Sequence, residues 1–142
     1  MKSLLLHVAG DEGLMARLNA AIALAQTFGA HLRCVQATPI TAFAMSTDPF
    51  NASLDLSTIY AAVREAEEAE RLRVEDRLKN EALSWEWLQI DEAPGPAIIN
   101  EAKLADLVVL SRPDDAATDG SPPAAIAADV AIHSRGPVLA VP

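Results

Sequence analysis

The residues able to do chemistry are few and scattered. Asp11 follows one short apolar run, Ser111 and Arg112 follow another, and Gly120-Ser121 stands before Pro122-Pro123. A glycine beside a hydroxyl residue at a helix start can receive an anion, because backbone N–H groups approach closely and the helix dipole favours negative charge. The two prolines after Ser121 favour a plainer role, a helix cap. Asp11 reads first as an N-cap or first-turn charge, and alternatively as an acid contacting a ribose or an amine. Ser111 and Arg112 are the polar residues best placed to line a crevice, but no base accompanies the serine, so it is not read as a nucleophile. No catalytic residue is assigned.

Metal chemistry has little support. Asp115, Asp119 and Gly120 carry a trace of a calcium loop, but Ala117 and Ile126 occupy two positions where ligands are required. His7, His31 and His133 show no ligand spacing, and His133 suits a helix C-terminus. Cys34, between Arg33 and Val35 in an expected strand, reads as a buried structural thiol. Trp85 and Trp87 share one side of another expected strand, where they pack beneath a helix or, alternatively, meet a partner.

The elements that must position these groups follow from composition and period. The chain has 142 residues, 20 acidic against 11 basic, a net charge of -9, 51% hydrophobic residues and one cysteine. That length and apolar content suit one folded domain over residues 1–142 and exclude a disordered chain. The acidic balance, with no basic run, argues against nucleic acid and anionic membrane as partners. One cysteine excludes an internal disulfide, and no apolar run reaches secretory or membrane-spanning length, so the expected location is cytoplasmic.

Ser3 to Val8 is an apolar run ending in a turn, the mark of a buried strand. Leu14, Leu18, Ala21, Ile22, Ala25 and Phe28 then recur at helical spacing, and Gly29 supplies the stop. His31 to Ala37 is a second strand, with Leu32, Cys34 and Gln36 on one face. A long loop over Thr38 to Ser53 precedes a charged helix from Leu54 to Leu83, with Glu67–Arg71, Glu75–Lys79 and Glu70–Arg73 as candidate pairs on a solvated face. Ser84–Asp91 is a strand, Pro94–Ala105 a helix, Asp106–Ser111 a strand, Arg112–Gly120 a loop, Pro122–Ser134 a helix and Pro137–Val141 a last strand.

This strict alternation predicts an α/β domain with an open parallel sheet and helices on both faces. In such sheets a ligand crevice forms at the carboxyl ends of the strands, where the strand order reverses. With the first and fourth strands adjacent, Ala9 to Gly13 and Ser111 to Ser121 border it.

The segments Val8-Ala9-Gly10-Asp11-Glu12, Leu107-Val108-Val109-Leu110-Ser111-Arg112 and His133-Ser134-Arg135-Gly136-Pro137-Val138-Leu139-Ala140-Val141 together resemble the universal stress protein family over essentially the whole chain. The resemblance implies a five-stranded sheet in the order 3-2-1-4-5, of the adenine-nucleotide alpha hydrolase-like type. It implies a homodimer through the last strand, Val138, Leu139, Ala140 and Val141. It also implies that a unit of this kind occurs both alone and in tandem.

Family members that bind ATP carry an acid at the end of the first strand and the signature G-x2-G-x9-G-[ST] after the fourth. Here Ala9 takes the acid's place, Leu110 and Pro113 those of the first two glycines, and Pro123 or Ala124 that of the third. Proline removes an N–H that a phosphate cradle needs. Asp114, Asp115 and Asp119 add negative charge nearby; a like-charge contact at 4 Å costs about 4 kcal/mol at an effective dielectric constant of about 20. The expected function is a non-catalytic stress-response or signalling module, without a cofactor, that does not bind ATP in the family manner. The alternative is a small-ligand or nucleotide binder using Asp11, Ser111, Arg112 and Ser121; a protein partner is a further expectation.

Overall fold

The computed structural model describes residues 1–41, 56–111 and 124–142. The strands are β1 (Ser3–Val8), β2 (His31–Ala37), β3 (Trp85–Ile90), β4 (Leu107–Ser111) and β5 (Val138–Val141). The helices are α1 (Leu14–Phe28), α2 (Leu56–Leu78), α3 (Pro94–Ala102) and α4 (Ala124–His133). The strands form one sheet in the order β3-β2-β1-β4-β5, every neighbouring pair parallel. This is the α/β architecture, with the 3-2-1-4-5 order, expected from the sequence.

Successive side chains of a strand point to opposite faces, and here each face meets two helices. Leu4, Leu6, Val8, Leu32, Cys34 and Val109 are buried beneath α1 and α2, together with Leu18, Ile22, Val74 and Leu78. Leu5, Val35, Val108 and Leu110 are buried on the other face, against Ala97, Ile98 and Ala102 of α3 and Val130 of α4. Because both faces are covered, β1 and β4 read as unbroken apolar runs rather than as alternating ones. Trp85 and Trp87 of the edge strand β3 are half-buried against the α1–α2 side. The Arg71 guanidinium lies 5.5 Å from the centre of the Trp87 ring.

Element ends depart from expectation by a few residues. α1 closes at Gly29, whose φ of 61° is left-handed and whose N–H donates to the Ala25 carbonyl. α2 stops at Leu78 rather than Leu83, because the Glu81 N–H folds back to the Leu78 carbonyl and turns the chain towards β3. α3 ends at Ala102, with the Ala105 N–H returning to its carbonyl. The charge pairs on α2 also differ. Arg71 binds Glu75 at 2.8 Å and Lys79 binds Asp76 at 2.5 Å, while Arg77 pairs with Glu81. Glu70 does not pair along the helix, because its carboxylate accepts the Gln36 amide at the end of β2, and one carboxylate oxygen of Glu67 is buried rather than paired with Arg71. That part of α2 is therefore not a solvated face.

Candidate functional site

β1 lies between β2 and β4, so the chain leaves the two sides of β1 in opposite directions. At the carboxyl ends of these strands opens a crevice of about 1170 Å³. Ala9, Gly10, Asp11 and Gly13 border it on one side, and Ser111 at the end of β4 on another. This is the switch point at which open α/β sheets take ligands.

Arg17 holds the floor of the crevice. It projects from the first turns of α1 and has no exposed surface. Its Nε donates to the His7 carbonyl at 3.1 Å, and its two terminal nitrogens meet the Asp11 carboxylate at 2.7 and 2.9 Å. One of them also donates to the Ser111 hydroxyl, the other to the Ala9 carbonyl at 3.4 Å. All five guanidinium donors thus have acceptors within the protein. The forked contact to Asp11 is the strongest kind of ion pair an arginine makes, and burial of the cation makes it obligatory.

Local sequence explains how so much fits here. A Cβ on Gly13 would stand 2.7 Å from the Ser111 Oγ, 3.1 Å from Asp11 Oδ1 and 3.2 Å from Arg17 Nη1. Only glycine leaves room for the three groups to converge. Asp11 also accepts the Gly13 N–H at 2.8 Å, so it does shape the helix entry, while the N-cap position itself belongs to Gly13. His7 lies beside this assembly, and burial, with the Arg17 charge second, pulls its imidazole down from 6.5 to about 4; Asp11 pulls weakly the other way. At neutral pH His7 is uncharged.

The opposite wall comes from β2 and α2. Gln36, only 2% exposed, donates from Nε2 to the Glu70 carboxylate at 2.8 Å and to the Glu67 carbonyl at 3.2 Å. A Cβ on Gly10 would collide with a Glu70 carboxylate oxygen, so glycine again permits a close approach. The Oε1 atoms of Gln36 and Glu67 are buried and accept no hydrogen bond.

Of the residues expected to line a site, Asp11 and Ser111 meet through Arg17. Arg112 and Ser121 lie outside the described residues, as do Pro113 and the acids at 114, 115 and 119. Arg17, Gln36, Glu67 and Glu70 escaped the sequence reading. A signal existed for Arg17: it stands three residues after Leu14, on the buried stripe of α1, where an unpaired cation is untenable. The histidines do not converge: His31 contacts Ser84, and His133 bonds the Asp129 carbonyl in the last turn of α4. Among the described residues no group of three His, Cys, Asp or Glu side chains is placed to hold a metal ion. Burial, with Glu75 second, raises the Cys34 thiol to about 12, the state of a structural cysteine. No helix among these residues is long and apolar enough to cross a membrane.

Comparison with curated protein sequences gives no match. Solved structures show the fold clearly. Universal stress protein UspA from Lactobacillus plantarum superposes with a TM-score of 0.75 at 18% identity, over 99% of this chain and 97% of that one. A universal stress protein in complex with cAMP gives 0.64 at 22% identity, over 99% and 96%. One from Archaeoglobus fulgidus in complex with dAMP gives 0.64 at 17% identity, over 100% and 98%. At such identities the likeness is one of fold, but the sequence model of the universal stress protein family matches residues 1–142, and the chain belongs to that family.

Proposed function

We propose that this protein is a non-catalytic stress-response or signalling module that does not hold ATP in the manner of the glycine-signature members of its family. One observation carries the reading: Arg17, the one Lys or Arg among the described crevice-lining residues, has all five donors engaged inside the protein. The lining acids, Asp11, Glu12, Glu67 and Glu70, outnumber it, and His7 is neutral. A triphosphate would enter a field of its own sign. Leu110, at a signature glycine position, is buried in the core and offers no flexible cradle.

Calorimetry and thermal shift with ATP, ADP, AMP and cAMP test this directly. No heat and no shift with ATP at millimolar concentration is expected; micromolar ATP affinity overturns the reading. A second reading, a nucleoside monophosphate binder, is favoured by the size of the crevice and by the cAMP and dAMP complexes of its structural neighbours. There Asp11 and Ser111, with Arg112 and Ser121, would contact the ligand. The same titration separates it, through AMP or cAMP binding without ATP binding.

The proposed assembly is a homodimer through β5. That strand is at a sheet edge, with Leu139 and Ala140 exposed. An uncovered apolar edge invites pairing with a second copy.

A further inference from the structure

All five strands run parallel, so the amino ends of β2 and β3 lie at the end of the sheet opposite to the crevice. There Arg33 and Glu86 are partners in the ladder, and His31 and Ser84 stand one step before the Leu32–Trp85 pair. Side chains alternate across a strand, so these four project to the α3 side, away from Leu32 and Cys34 beneath α1 and α2. His31 Nδ1 lies 2.9 Å from the Ser84 hydroxyl, and its Nε2 lies 3.5 Å from Glu86 Oε1. That carboxylate oxygen also accepts Arg33 Nε at 2.9 Å, and Arg33 is anchored to the Glu101 carboxylate of α3 at 2.6 Å. A carboxylate only accepts, so Glu86 favours the tautomer with the proton on Nε2. Nδ1 then carries the lone pair and accepts the Ser84 O–H. A hydroxyl, an imidazole and a fixed carboxylate in series make an activated nucleophile. The series is open to reagents: Ser84 is exposed, and the His31 and Glu86 side chains are 39% and 46% exposed.

We propose that Ser84 is a site of covalent acylation, with His31 as its base and an activated ester as the acyl donor. The Ser84 oxygen attacks the ester carbonyl carbon, and its proton passes to His31 Nδ1. As the bond to the leaving oxygen breaks, His31 returns that proton to it. One C–O bond forms, one breaks, and nothing is oxidised or reduced. Because the Leu32 N–H bonds the Ser84 carbonyl, the Trp85 N–H faces the open edge of β3, leaving a main-chain donor beside the reacting hydroxyl. The product is an alkyl ester, a poorer donor than the activated one, so the acyl group stays on the chain. This is a modification rather than turnover, and it is independent of whether the crevice takes a nucleotide.

The test is incubation with 4-nitrophenyl acetate, followed by release of 4-nitrophenol, intact mass and peptide mapping. One acetyl group per chain at Ser84 is expected, and none there in Ser84→Ala. His31→Gln should slow acetylation of Ser84 by about a hundredfold, the loss of a general base. His133→Gln, whose ring bonds a main-chain carbonyl, should change it by less than about twofold. Glu86 acts as a positioning residue: Glu86→Ala should slow the reaction, and Glu86→Gln, which keeps an acceptor for the ring, should restore most of the rate. An unaltered protein whose acetyl groups map only to amines overturns the proposal without reliance on any variant. Equal rates at Ser84 in the parent and in a folded His31→Gln also overturn it, because the serine is then merely exposed.

Discussion

The Arg17 guanidinium donates to the Ser111 hydroxyl across 94 residues of sequence, tying the first helix to the end of the fourth strand. The same side chain grips Asp11, so the two halves of the sheet meet at one buried cation. The crevice floor is thereby a structural joint. Its polar groups serve each other before they serve a ligand.

Asp11→Ala leaves that cation buried without a counter-charge. The carboxylate is itself 47% exposed, so water reaches the vacated place, and a loss of about 2 kcal/mol is expected, that of a charge-assisted hydrogen bond. Urea denaturation of the variant against the parent measures it. A loss below about 1 kcal/mol would mean that water replaces the carboxylate in full.

Two glycines should respond differently to alanine. At φ -80°, Gly13 has an ordinary backbone, so alanine there would normally stabilise by about 0.4–1 kcal/mol. The crowding by Ser111, Asp11 and Arg17 reverses the sign, and a loss of about 1–3 kcal/mol is expected. Gly10→Ala meets only the flexible end of Glu70, which swings aside, so stability should change little. Thermal melts of the two variants side by side decide the matter.

Stability should fall on mild acidification through His7. The unfolded chain takes a proton at His7 near pH 6.5, whereas the folded protein refuses it until about pH 4. The contribution is therefore complete above 6.5, declines as pH falls towards 4 and is flat below. The full span is about 3 kcal/mol. Denaturation curves between pH 7.5 and pH 4, roughly bracketing these values, should show a steeper fall for the parent than for His7→Gln; equal slopes would assign the acid sensitivity to carboxylates.

Cys34 should be inert in the folded state. With its thiol raised from 9 to about 12, the thiolate fraction at neutral pH falls about a thousandfold. Reaction with a disulfide reagent should proceed at the rate of unfolding. Rapid native-state labelling would contradict the burial seen here.

If the β5 edge joins two copies, Leu139→Lys should yield monomers in light scattering at micromolar concentration while leaving the sheet intact. Leu139 is 36% exposed, so its replacement disturbs little of the core. A parent protein that is already monomeric removes the proposed dimer.

Much of the fold is legible in the amino-acid order because it depends on local period. The apolar runs at 3–8 and 107–110, the three-and-four spacing after Leu14 and the stop at Gly29 each determine an element through nearby residues alone, and their alternation restricts the sheet to parallel forms. Asp11 and Ser111 were reachable too, since both follow strands that must end at the same edge. Their meeting through Arg17 was not. Nor was the burial of a Glu67 oxygen or the contact of Glu70 with Gln36, since by spacing alone both acids belong to a charged helix face. Pairings across 94 and 34 residues depend on how helices settle on the sheet, and charge in the sequence does not say which side of a helix the packing will bury. Composition and period thus determined the scaffold; tertiary packing decided which charges became the crevice, because only there do desolvation and close approach select partners.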